Sequence, residues 1–348
     1  MNGVFMAVSI RSYRALAAVL GASVLVTGLA ACSSSSSNSG GGASASGSAA
    51  AQPVSLSMGI EPWIGYAPWY IAQEKGYFTA HGLNVNIVNF TTDADRNAAI
   101  IAGKTDVSNI DAGRLVQWAE QKQPVEPVMI EDASVGADAI LSSPDITTAQ
   151  QVVGKDVAYE YGTTSELLFR YFLNANNITI DQVKTTNVPA ADAGTLLIAG
   201  KTPVVGTYEP YISAATGGAN AGKAHVLFGS DKAPGLISDF LAINKTWLAA
   251  NPGAVKNLIL AWDDAMKYYA SNHDDAVAIM AKGVGAKPSD LTATLAGVKL
   301  YTVQDNKDMF ASGEMAKNFA GISTTLQLMG NVKAPVTLDQ AGSFTYFP

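Results

Sequence analysis

Cysteine, histidine and basic residues are scarce in this chain. Its 348 residues hold one cysteine, three histidines, and 22 Lys and Arg against 29 Asp and Glu, a formal charge of −7. One cysteine cannot close an internal disulfide. His81, His225 and His273 lie far apart, without metal-ligand spacing, and no Ser-His-Asp arrangement is legible. The nine methionines form no stripe. No metal and no cofactor is therefore expected. An acidic body does not favour nucleic acid or anionic membrane surfaces. A phosphate loop is also missing. Gly-Lys-Thr occurs twice, at 103–105 and 200–202, but the glycine required five positions before the Gly-Lys is replaced by Ala98 and Thr195.

The two Gly-Lys-Thr copies have a different meaning. Each belongs to an Ile-Ala-Gly-Lys-Thr repeat, at 101–105 and 198–202. Each follows a helical run (Arg96 to Ala102, Ala191 to Ala199) and precedes an apolar run. Glycine just past a helix, then lysine near its negative end, is a stop signal. The chain thus makes the same helix-turn-strand move twice, about a hundred residues apart by simple count.

The only long apolar run is at the start. Arg11 and Arg14 precede alanine-rich residues 15–31, too short for a comfortable membrane span. The run ends Leu29-Ala30-Ala31-Cys32, which resembles the lipobox of bacterial lipoproteins. Residues 1–31 are then a signal peptide and Cys32 the lipidation site. Residues 32–52, nearly all Ser, Gly and Ala after the cysteine, make a flexible tether. The expected location is extracytoplasmic, with lipid on Cys32 as the only membrane attachment.

From residue 53 strand and helix patterns alternate. Extended runs are expected at Val54 to Ile60, Asn84 to Phe90, Val107 to Ile110, Val125 to Ile130 and Ala137 to Leu141. The pattern restarts with strands at Asp156 to Tyr161, Val183 to Val188, Val204 to Tyr208, His225 to Phe228 and Phe240 to Asn244. Amphipathic helices follow at Val255 to Ala270 and Asp274 to Ala281, and Ser289 to Gly330 reads as mostly helical. Trp262, Tyr268 and Tyr269 read as packing residues. Two alternating sets imply two α/β sheets.

Residues 59–78, GIEPWIGYAPWYIAQEKGYF, followed by Gly82-Leu83-Asn84-Val85, resemble the opening of bacterial solute-binding proteins of the nitrate/sulfonate/taurine type, a group that includes thiamine-precursor binders. Ala102-Gly103 to Val107, Gly154 to Ala158, Gly162 to Ser165 and Tyr208-Glu209-Pro210-Tyr211 continue the likeness, which covers roughly 54–265. Pro203 departs from it, standing where the family usually has aspartate. The resemblance implies an α/β periplasmic-binding-protein type II fold, two lobes joined by two crossing segments around a ligand cleft. Residues 53–143 with 242–348 would form lobe 1 and residues 144–241 lobe 2. The crossings would fall near Ser142–Asp145 and Asp239–Asn244. An ABC permease and ATPase are the implied partners, and a monomer is expected. Some relatives of this fold make a thiamine pyrimidine with histidine, lysine and cysteine. Here the three histidines lie far apart and no free cysteine would remain once Cys32 is acylated, so a binder rather than an enzyme is expected; a structural lipoprotein would show no lobe closure.

Ligands of open α/β sheets sit beyond the carboxyl ends of the strands. That rule selects Glu61, Trp63, Gly65, Tyr66, Asp111, Asp132, Asp138, Tyr161, Thr163, Thr164, Ser165, Tyr208, Glu209 and Asp239 as ligand-binding candidates. Thr163 to Ser165 at a helix start would suit an anion or simply cap the helix. The carboxylates and aromatic rings would suit a cation. Arg96 is the nearest arginine for an anion, but its helical position predicts a surface or interlobe pair. The balance predicts a small nitrogen-containing solute, cationic or zwitterionic, such as a guanidinium, an amine or taurine. An aliphatic sulfonate or nitrate is the alternative.

Overall fold

The computed structural model describes residues 52–348, so the expected signal peptide, Cys32 and almost all of the tether lie outside the described residues. The body is built from two sheets, each edged by helices.

The first sheet begins with β1 (Val54–Ile60). A single helical turn at Ile64–Tyr66 leads into α1 (Pro68–Glu74), with proline in its first turn where no N–H partner is needed. Gly76, at φ 73°, ends that helix before α2 (Tyr77–Ala80). Then come β2 (Leu83–Asn89), α3 (Asp93–Ile101), β3 (Val107–Asp111), α4 (Ala112–Glu120) and β4 (Val125–Ser134). The second sheet takes β5 (Asp138–Ser142), β6 (Asp156–Tyr159), α5 (Thr164–Ala175), β7 (Lys184–Asn187), α6 (Ala190–Ile198), β8 (Val204–Tyr208), α7 (Tyr211–Thr216) and β9 (His225–Gly229). The chain then returns through β10 (Ser238–Asn244) to the first sheet. Helices α8 (Lys245–Ala250), α9 (Ala254–Ser271), α10 (His273–Val284) and α11 (Pro288–Leu295), strand β11 (Val298–Leu300), and helices α12 (Val303–Ser312), α13 (Glu314–Leu328) and α14 (Leu338–Ala341) complete it.

The first sheet has the order β11-β4-β10-β3-β1-β2 and the second β7-β6-β8-β5-β9. In each, one strand entering from the other lobe runs against its neighbours. β10 pairs antiparallel with β3 and β4, and β5 pairs antiparallel with β8 and β9. This corrects the expected crossings and lobe limits. Asp138–Ser142 belongs to the second sheet, so the first crossing is the short link between Ser134 and Asp138. Asp239–Asn244 is a central strand of the first sheet, so the second crossing lies between Gly229 and Ser238. The two links are stitched together by Ser230, which is fully buried. Its hydroxyl meets Ser134 Oγ at 2.7 Å and accepts the Gly136 N–H at 2.8 Å.

Both Ile-Ala-Gly-Lys-Thr repeats end helices. Gly103 and Gly200 follow α3 and α6 at φ 66° and 68°, and β3 and β8 begin a few residues later. Against one face of the first sheet, Trp69 packs on Trp262 with centroids 4.8 Å apart, both rings fully buried. A further cluster runs from Leu115 and Trp118 of α4 through Phe169 and Phe172 of α5 to Phe319 and Leu326 of α13. The C-terminal helices therefore share apolar contacts with both lobes. No helix of the described residues is long and apolar enough to cross a membrane.

Candidate functional site

The strand ends converge on a narrow cavity of about 20 Å³ between the sheets. Strands running forward contribute from their last residues: Glu61 just after β1, Asp111 closing β3, Tyr208 closing β8. The two reversed strands contribute from their first: Asp138 on β5 and Asp239 on β10. Trp63 and Tyr66 come from the turn after β1, Asp93 and Arg96 from α3, Thr164 from the start of α5, and Ile237 from the second crossing. The positions one strand downstream of the two repeats, Asp111 and Tyr208, thus face one space. The two lobes meet there through aromatic rings: Trp63 stands edge-on to Tyr208 at 5.7 Å, and Tyr208 in turn lies 5.6 Å from Tyr211.

Six of the expected positions do not line this cavity. Gly65 sits on the turn that passes over Asp132, and a Cβ there would overlap the Asp132 carboxylate and the Trp63 indole. Asp132 lies behind Trp63, whose Nε1 donates to its Oδ1 at 3.1 Å. Tyr161 is 44% exposed and donates its hydroxyl to Thr185. Thr163 caps α5, accepting from Ser165 N and donating to the Glu160 carbonyl. Ser165 is buried on the inner side of α5. Glu209 turns away to accept from the N–H and hydroxyl of Ser213. For Thr163 and Glu209 the reason is local: short polar side chains near a helix start satisfy its free N–H groups first.

Asp93, Arg96 and Ile237 line the cavity without having been expected there. The structure corrects the reading of Arg96 as a surface or interlobe pair. It is 1% exposed, donates to Glu61 Oε2 at 3.2 Å and pairs with Asp93. The sequence held the signal: Arg96 shares a helix face with Ala99 and Ile100, the buried side of α3. Thr92 caps that helix, accepting from Asp95 N, which leaves the Asp93 carboxylate for the arginine.

The electrostatics are dominated by carboxylates. Burial raises Glu61 well above the usual range, opposed by Arg96. Burial also raises Asp111 and pushes Asp138 up to about 6. Burial lowers the basicity of Arg96, but the neighbouring Asp93 and Glu61 more than offset it and hold the guanidinium charged. Glu61 Oε1, Asp138 Oδ2 and Asp239 Oδ1 are buried without any hydrogen-bond donor. Unmet buried acceptors each cost about 1–3 kcal/mol, more when charged. One layer below, Glu131 is fully buried and accepts from Trp69 Nε1 at 2.5 Å and from Asn109 Nδ2 at 2.8–2.9 Å. With neutral partners only, burial pushes it up to about 8.

A second hollow adjoins the cleft at the start of α4. Arg114 reaches across it to donate to the Gly162 carbonyl of the other lobe. Gly162 is at φ 74°, and a Cβ there would overlap the guanidinium. Among the described residues no group of His, Cys, Asp and Glu is arranged to hold a metal ion.

Comparison with known proteins agrees with this architecture. A protein of Brucella abortus that carries the provisional name of a binding protein is 25% identical over 300 residues, covering 81% of this chain and 90% of its own. The alkanesulfonate-binding protein SsuA from Xanthomonas axonopodis pv. citri, bound to MOPS, superposes with a TM-score of 0.70 at 15% identity, over 84% of this chain and 99% of that one. The periplasmic nitrate-binding protein NrtA from Synechocystis PCC 6803 gives 0.66 at 15% identity, over 83% and 84%. At such identities the likeness shows the fold, that of periplasmic binding proteins. The family model described as NMT1/THI5 like matches residues 63–276, and the chain belongs to that family.

Proposed function

We propose that this protein is the extracytoplasmic solute-binding component of an ABC importer. It captures a small polar solute between its lobes and presents it to a membrane permease. The observation that supports this reading is the cavity itself. It is lined from both lobes, walled by aromatic rings and carboxylates, and bordered by two short links that can act as a hinge. Binding without bond-making also fits the chemistry of the lining, which holds no histidine, cysteine or lysine. Lipid on Cys32 would keep the protein beside its permease.

For the solute, the names of the structural neighbours favour a sulfonate or nitrate-like anion, and on kinship that class is the better supported. The cavity wall supports a nitrogen-bearing cation or zwitterion. Arg96 is already committed to Glu61 and Asp93, while three carboxylate oxygens await donors. Calorimetry of the purified protein with ethanesulfonate, nitrate, taurine, guanidinium and a simple amine separates the classes. Heat from ethanesulfonate or nitrate alone selects the anion. Heat from guanidinium or the amine alone selects the cation. Turnover of a thiamine-related substrate, or no compaction in solution scattering with any solute that binds, would overturn the binding-protein reading.

A further inference from the structure

Across the first sheet three aspartates stand in one row, two at the cleft and one behind Trp63. In the first sheet Asp239 of β10 is paired in register with Asp111 of β3 on one side and Asp132 of β4 on the other. Directly opposed residues of antiparallel strands share a face, and like charges there repel. Asp132 and Asp239 are 0% and 3% exposed and stand directly opposite each other across the β10–β4 ladder. Trp63 Nε1 holds Asp132 Oδ1, whereas Asp132 Oδ2 and Asp239 Oδ1 meet no donor. The other groups facing the pair do not help. Glu131 on β4, Asp111 on β3 and Asp138 on β5 are acidic, Tyr66 and Tyr301 are neutral phenols, and the one nearby cation, Arg96, is bound to Glu61 and Asp93.

We propose that Asp132 and Asp239 share a single proton in the empty site, with Asp239 the protonated member, and that this proton sets the charge of the solute the cleft accepts. The indole bond to Asp132 stabilises its carboxylate, so the proton resides on Asp239 and bridges to Asp132. With the proton in place the pair carries one negative charge instead of two, and the cleft tolerates a neutral or anionic group beside Asp239. A cationic group seated against Asp239 displaces the proton to bulk water, one proton leaving for each positive charge arriving. The inference rests on the solute-binding reading only in this last step, since the shared proton belongs to the unliganded protein.

Infrared difference spectroscopy of the whole unliganded protein at neutral pH tests it directly. Wild type minus Asp239→Asn should show one deuterium-sensitive protonated-carboxyl C=O band. Because the variant could perturb folding, the Trp63 indole N–H resonance of the wild type gives a second readout. It should move in a step of its own when rising pH removes the shared proton, the second of the pair's two ionisations, and the step should vanish in Asp132→Asn. No such band and an indole resonance that stays flat as the pH is raised would overturn the proposal, whichever solute the protein binds. A band and a step with no binding of any tested solute would leave the shared proton standing and remove the transport reading instead.

Discussion

The Arg96 guanidinium meets Glu61 Oε2 at 3.2 Å with the two side chains 1% and 5% exposed. Asp93 completes the set from one turn earlier on α3. A pair this deep is fixed in place because removing either partner strands a charge away from water. Arg96→Met should therefore destabilise the protein by about 3–5 kcal/mol. Adding Glu61→Gln to it should return part of the loss. Urea unfolding checks both; a midpoint for Arg96→Met equal to that of the wild type would contradict this account.

Glu131 gives a pH prediction whose sign is opposite to that of a salt-bridged acid. Its pKa is raised to about 8 in the folded protein from the ordinary carboxyl value of about 4.5, so the folded state holds a proton that the unfolded state has released. Stability from this group is full below the unfolded value and falls as pH climbs from about 4.5 to about 8. Asp138, at about 6, adds a loss of the same sign starting from about 3.8. Glu131→Gln removes the ionisation. At pH 8 it should be more stable than the wild type by an amount of order 1 kcal/mol or more. Asn109 can turn its unpartnered Oδ1 toward the new amide. Thermal melts of both proteins at several pH values measure the effect. Parallel pH curves would refute it.

Gly65 lies against Asp132 and the Trp63 indole with no room for a methyl group. Gly65→Ala should break the Trp63–Asp132 bond and cost about 1–3 kcal/mol by overpacking. Trp63 would swing from its edge-on contact with Tyr208, so solute affinity should fall together with stability. Retention of full affinity in calorimetry would show that the Trp63 position does not matter to binding.

Arg114 is the polar bridge at the cleft edge. Arg114→Met removes a charge-assisted bond to Gly162, a class worth about 1.5–3 kcal/mol. The unliganded protein should then shift toward an open form, seen as a larger radius of gyration in solution scattering with an unchanged far-ultraviolet spectrum. An identical radius would mean that the apolar cluster from α4 through α5 to α13 holds the lobes by itself.

Much of the chemistry at the rim was legible in the sequence because strand ends announce themselves. Glu61, Trp63, Tyr66, Asp111, Asp138, Thr164, Tyr208 and Asp239 all follow or begin an apolar run, and all line one cavity. Helix ends were equally clear at Gly103 and Gly200, whose positive φ only glycine adopts freely. The crossings were misplaced because Asp138–Ser142 and Ser238–Asn244 have the same apolar pattern whichever sheet they join. Strand pairing is a long-range choice, and no local residue records it.

Local pattern thus determined the two sets of alternating strands and helices, the stops that aim β3 and β8, and the acidic, aromatic character of the cleft. Tertiary structure decided which of those groups meet. It turned Glu209 and Thr163 inward to nearby helix N–H groups, set Asp132 behind Trp63, and brought Arg96 from an expected surface to the cavity wall. The physical reason is burial. A charged side chain on a helix is at home in water unless other carboxylates are buried within reach, and only the packing of α3 against the end of β1 supplies them.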